Sequence, residues 1–128
     1  MTYYTVWKPQ AEKPELESFR ERFRHHQTLA VNEDYQRIIN RIDEMGVRYG
    51  CREQFFVPEQ NAHRIKQQRS PDVTAYFNGR GESGLRLYCV RISKTVCVLL
   101  NGDVKTARTA QECPQVLPHF NFAIEVAN

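Results

Sequence analysis

Two apolar runs separated by a polar pair dominate the second half of the chain: Gly84-Leu-Arg-Leu-Tyr-Cys-Val-Arg-Ile92, then Ser93-Lys94, then Thr95-Val-Cys-Val-Leu-Leu100. A run this apolar must satisfy its backbone N–H and C=O groups inside regular structure. Its Val, Leu, Ile and Tyr content, with Gly84 before it and Asn101-Gly102-Asp103 after it, specifies a β-hairpin set within a sheet. Alternation puts Leu85, Leu87 and Cys89 on one face and Arg86, Tyr88 and Val90 on the other. One guanidinium therefore leaves the sheet from a face that also carries a tyrosine, and Lys105 sets a second cation just past the other run. Arg86 either lays its aliphatic stem over the sheet surface or presents its charge to a ligand.

The remainder of the chain must cover that hairpin. With 128 residues, 41% of them hydrophobic, the length suits one domain spanning 1–128 around one modest core. From Pro14 to about Ala30, Leu16, Phe19 and Phe23 recur at helical spacing with charged residues between them. Asn32 is then placed as an N-cap, Glu33 and Asp34 suit a first turn, and Tyr35, Ile38, Ile39, Ile42 and Met45 form an apolar stripe ended by Gly46. Two consecutive helices with apolar stripes must bury them, and the downstream sheet is the surface that can accept them.

Shorter signals complete the outline. Tyr3 to Trp7 reads as an edge strand stopped by Pro9. Residues 47–60 read as a loop anchored by Phe55-Phe56-Val57-Pro58. Short strands are expected within Asn61–Arg69 and at Asp72–Phe77, and His119–Ala127 suits a last short helix. The expected class is α+β: two N-terminal helices packed on a small twisted antiparallel sheet, with a short C-terminal helix.

The net charge of +3 is uneven, because residues 1–60 hold nine Lys/Arg against ten Asp/Glu whereas residues 61–128 hold nine against five. The sheet-bearing half is thus cationic, which a phosphate-binding surface needs and which ordinary surface charge also produces. No G-x-G-x-x-G, G-x-x-x-x-G-K-[ST], H-E-x-x-H or G-x-S-x-G occurs, so nucleotide-cofactor, zinc-hydrolase and serine-hydrolase chemistry lack their signatures. Cys51, Cys89, Cys97 and Cys113 form no C-x-x-C pair and read as reduced packing residues rather than a disulfide or zinc set. His25 and His26 read as solvent-facing, with no metal expected. His63 and His119 lie near element ends in the cationic half, where an imidazole either exchanges protons or hydrogen-bonds locally. No apolar stretch approaches a membrane span and the opening residues lack a secretory pattern, so a cytoplasmic location is expected.

The order helix pair, basic strands, Gly84-x-Arg86-Leu-Tyr88, apolar strand, Lys105-Thr106-x-Arg108 resembles the RelE/HigB superfamily of toxins, including its phage Gp49-like branch, over roughly residues 15 to 125. The resemblance implies a metal-independent endoribonuclease without cofactor, acting on messenger RNA at the ribosome and neutralised by an antitoxin protein. It assigns Arg86 and Lys105 to the phosphate, leaves His119 as the candidate acid or base, and gives Lys66, Arg69 and Arg108 to the RNA backbone. Tyr88 would stack on a base unless its face of the strand is the core face. This chain departs from the family in showing only one lysine at Val104-Lys105-Thr106. The alternative on the same fold is a non-catalytic binding module, either a ParE-like gyrase inhibitor or a toxin-derived domain without chemistry.

Overall fold

The computed structural model describes residues 1–66 and 84–128, so the strand expected at 72–77 and the RNA contact expected of Arg69 lie outside the described residues. Strand β1 (Thr2–Thr5) is followed by helices α1 (Glu15–Phe23) and α2 (Leu29–Glu44), then by β2 (Phe56–Glu59), β3 (Ala62–Ile65), β4 (Leu85–Ser93) and β5 (Val96–Val104), and finally by α3 (Leu117–Ala127). The strands form one sheet in the order β1-β5-β4-β3-β2.

The α+β class and the β4–β5 hairpin are as expected. The sheet, however, is mixed: β2 through β5 pair antiparallel, whereas β1 precedes the helices and lies parallel to β5, with Thr2 opposite Val96 and Thr5 opposite Leu99. A strand that enters a helix pair before its partner strand is made returns by a crossover, and crossovers yield parallel neighbours. β1 is an edge strand, as its composition suggested.

The sheet is covered on both sides. Leu85, Leu87, Cys89, Cys97 and Leu99 pack with Phe19 and Phe23 of α1 and Val31, Tyr35 and Ile38 of α2. Tyr88, Val90 and Leu100 face the other way, against Phe120 and Ala123 of α3. The period-2 alternation of β4 thus separates two cores, and each fully buried Leu or Phe contributes about 1.5–3 kcal/mol relative to its exposed state. All four cysteines are unpaired and buried, consistent with a packing role. No helix among the described residues is long and apolar enough to cross a membrane.

Several local expectations are corrected. The first helix stops at Phe23 instead of continuing to Ala30, because the His26 Nδ1 accepts the Thr28 N–H at 3.1 Å and turns the chain. Asn32 is not the N-cap of α2; it lies inside the helix and its amide donates to the Arg24 carbonyl at 2.9 Å, closing the end of α1 instead. Gly46 does not end α2, which runs on through a π-helical turn, Met45–Tyr49, and stops at Gly50. Gly50 has φ +69°, and a Cβ there would lie 2.7 Å from the Lys94 carbonyl oxygen, so glycine is required on both counts. Phe56-Val57-Pro58-Glu59 is the edge strand β2 rather than loop, and Pro58 is tolerated there because an edge position leaves its missing N–H unneeded. Asn101-Gly102-Asp103 is not a turn; β5 passes through it with an irregularity in the ladder between Leu87 and Cys89.

Candidate functional site

The register of the hairpin decides where its cations fall. Arg86 is paired across the ladder with Asp103, and Lys105 follows directly opposite Gly84, its N–H donating to the Gly84 carbonyl at 2.8 Å. A Cβ on Gly84 would stand 2.3 Å from the Lys105 carbonyl oxygen, and φ is +85°, so only glycine lets the two chains close there. β3 runs antiparallel to β4 with Arg64 opposite Tyr88, so Lys66, two residues on, heads toward the end of β4 that holds Arg86. Lys66, Arg86 and Lys105 therefore belong to the same end of three adjacent strands. Lys66 is exposed and Arg86 and Lys105 are half-buried, while Arg108 is exposed on the connection leading to α3.

The α3 helix returns across the sheet and brings His119, in its first turn, to this end as well. His119 is half-buried, and its pKa is lowered by burial first and then by the positive charge of Arg22, partly offset by Asp103 and Glu15. The imidazole is therefore neutral at pH 7 and a weaker base than an exposed histidine.

Around it stands a polar network not anticipated from the chain. Asn101 and Glu15 are buried, at 6% and 7% exposure, and the Asn101 amide donates to Glu15 Oε2 at 2.9 Å. Lys8 Nζ lies 3.3 Å from Glu15 Oε1 and 4.1 Å from the centroid of the Phe122 ring on α3. Arg22 Nη2 donates to Asn101 Oδ1 and, at 2.6 Å, to the Gly102 carbonyl, while its Nη1 meets Asp103 Oδ2 at 3.0 Å. This arrangement exists because β1 pairs with β5 only as far as Leu99. Beyond that point α1 lies along β5 and supplies side chains where a strand neighbour would be. Asp103 sits between Arg22 on one element and Arg86 on the next strand, so part of the local positive charge is compensated.

Tyr88 does not serve as a stacking platform. It is 1% exposed and meets Phe120 edge-on at 5.9 Å between centroids, and burial pushes its hydroxyl up to about 12. The face it shares with Arg86 is the core face beneath α3, the alternative its alternation left open. His63 lies farther along β3, opposite Cys89, and its Nδ1 is 3.4 Å from the Arg91 backbone nitrogen; burial and the Arg91 charge lower its pKa. It does not join His119.

The connection from β5 to α3 is tied down by Cys113. Its thiol receives the Thr106 N–H at 3.4 Å and lies 3.2 Å from Gln115 Oε1. Burial pushes this thiol up, but the N–H groups of Thr106, Val116 and Gln115 and the Thr106 hydroxyl outweigh burial and lower it overall. Among the described residues no group of three or more His, Cys, Asp or Glu side chains is placed to hold a metal ion.

The sheet end thus assembles cations from three strands, a carboxylate between two arginines and a neutral imidazole from the last helix, a set suited to holding a phosphodiester beside a proton acceptor. Comparison with family models, curated proteins and solved structures finds no match for this chain.

Proposed function

We propose that the protein is a toxin-like, metal-independent endoribonuclease that cleaves messenger RNA at the ribosome and is held in check by an antitoxin protein. The observation that carries this reading is the placement of Lys66, Arg86 and Lys105 at one end of three adjacent strands, with His119 of the last helix close enough to Asp103 to feel its charge. In the proposed reaction neutral His119 takes the proton of a substrate 2′-hydroxyl, and the resulting oxygen attacks the adjacent phosphorus. The bond to the 5′-oxygen breaks, and that oxygen takes a proton from water. The hydroxide left behind recovers the proton from the His119 imidazolium, so the enzyme is restored and the products are a 2′,3′-cyclic phosphate and a 5′-hydroxyl. Arg86 and Lys105 stabilise the charge on the pentacoordinate phosphorus, and Lys66 and Arg108 hold the flanking backbone.

The test is induced expression in a bacterial host with mapping of RNA ends. Wild type is expected to arrest growth and to leave cleaved messenger RNA with 5′-hydroxyl ends, and Arg86→Ala/Lys105→Ala is expected to abolish both while keeping its circular dichroism spectrum. Full toxicity in that variant would rule out this site. Growth arrest with intact RNA and damaged DNA would instead identify a ParE-like gyrase inhibitor, and no arrest at all a binding module without chemistry.

A further inference from the structure

At the opposite end of the sheet from His119 a cleft opens between the π-helical turn after α2 and the β4–β5 turn. Its volume is about 760 Å³ and it is lined by Tyr49, Arg52, Glu53, Gln54, Arg91 and Lys94. That size lies within the range of small-ligand sites. We propose that this cleft binds a nucleotide unit, with the phosphate on Arg91, Arg52 and Lys94 and the base against Tyr49.

Three features support this assignment. The lining carries three cations and one carboxylate, a surplus that matches a phosphate monoester of charge about −1.5 to −2 at neutral pH. The carboxylate, Glu53, has an 87% exposed side chain and stands 3.8 Å from Arg91 Nη1, too far for a hydrogen bond and free to yield to a phosphate oxygen. Arg91, in contrast, is fixed: its Nε donates to the Cys51 carbonyl at 2.5 Å, which aims the Nη edge without further ordering.

The base side is equally prepared. Tyr49 is 40% exposed, and the Arg52 guanidinium lies 5.4 Å from its ring centroid. Aromatic rings stack on bases, so the exposed part of the Tyr49 ring offers a platform that any base can use, and the neighbouring Arg52 guanidinium keeps its N–H groups for the phosphate. Tyr49 also occupies the last position of the π-helical turn, a distortion often retained at ligand sites. The two walls cannot drift apart, because the Cys51 N–H donates to the Lys94 carbonyl at 2.7 Å and Gly50 closes on the same atom.

The assignment is independent of the proposed ribonuclease site, and amide chemical shifts separate the two. Uniformly ¹⁵N-labelled protein is titrated with adenosine monophosphate, with pentaadenylate and with inorganic phosphate. Adenosine monophosphate is expected to shift the amides of residues 49–54 and 91–95. Tyr49→Ala should weaken it about 5- to 100-fold, the span that loss of one stacked base allows, while Tyr49→Phe restores binding. Lys94→Ala should weaken every phosphorylated probe and flatten the dependence of affinity on salt. If pentaadenylate binds more tightly than the mononucleotide, the natural source is a strand; if equally, a free nucleotide. The proposal is overturned if inorganic phosphate matches adenosine monophosphate, if Tyr49→Ala with an unchanged spectrum elsewhere binds as wild type does, or if shifts occur only near Arg86 and His119.

Discussion

Asn101→Ala removes the centre of the network that joins α1 to the far end of β5. The wild-type amide gives one hydrogen bond to the buried Glu15 carboxylate, and its oxygen accepts from Arg22 and, at 2.8 Å, from the Gly102 N–H. A hydrogen bond to a buried charge contributes about 1.5–3 kcal/mol and a neutral local one about 1 kcal/mol. The Arg22 side chain is 36% exposed, so its share is screened and adds only a few tenths. Lys8 remains beside Glu15, which keeps the carboxylate from losing all compensation. The expected destabilisation is therefore about 3 kcal/mol, a large part of the roughly 5–15 kcal/mol available to a domain. Urea titration followed by circular dichroism measures it as a lower midpoint at unchanged slope. Asn101→Asp should cost more, since it sets a second carboxylate against Glu15, and adding Glu15→Gln should recover about 2 kcal/mol or more by restoring a donor–acceptor pair. A loss below about 1 kcal/mol for the alanine variant, or no recovery in the double variant, would show that water replaces the amide and that the network is not structural.

Two further perturbations probe the fold. Gly102→Ala would drive a Cβ to 1.7 Å from the Arg86 carbonyl oxygen, and should destabilise by about 3 kcal/mol or prevent folding, whereas Gly46→Ala meets only the Tyr3 ring edge at 3.5 Å and should change stability by less than about 1 kcal/mol; equal thermal midpoints for the two would contradict the ladder geometry. His63 and His119 both have lowered folded pKa values, so above about pH 6.5 neither affects stability, and below it the unfolded chain takes up protons that the folded chain refuses. Stability should fall progressively as pH drops below about 6.5, and the same fall in a His63→Gln/His119→Gln variant would locate the acid sensitivity elsewhere.

The hairpin was legible because consecutive Val, Leu and Tyr residues leave a backbone few other ways to bury itself, and simple alternation then sorted Leu85, Leu87 and Cys89 from Arg86 and Tyr88. What alternation alone left open was which face would be covered. Both are, and the α3 layer turned a candidate stacking ring into core. The parallel pairing of β1 was not legible either, since the choice of β5 over another neighbour is made by tertiary packing. Turn-forming residues misled twice in the same way: Asn32 caps the preceding helix, and Asn101-Gly102-Asp103 bends a strand without ending it. In the candidate site, Arg86 and Lys105 could be brought to one end by counting along a hairpin, whereas Asn101 lies 79 and 86 positions from its partners Arg22 and Glu15 and shares no local pattern with them. The available signal was an asparagine directly after the buried Leu99-Leu100 pair, a polar group that needs a partner wherever the chain finds one.

The parallel lane between β1 and β5 also sets an order of events. Thr2 finds its place beside Val96, so β1 has no docking site until β5, about ninety residues later, has been synthesised. During that interval the apolar stripes of α1 and α2 lack the sheet that later hides them. Contacts of such long range are slow to close. Newly made chains should accordingly depend on chaperones until the C-terminal hairpin emerges, and truncation before β5 should yield insoluble material rather than a smaller domain.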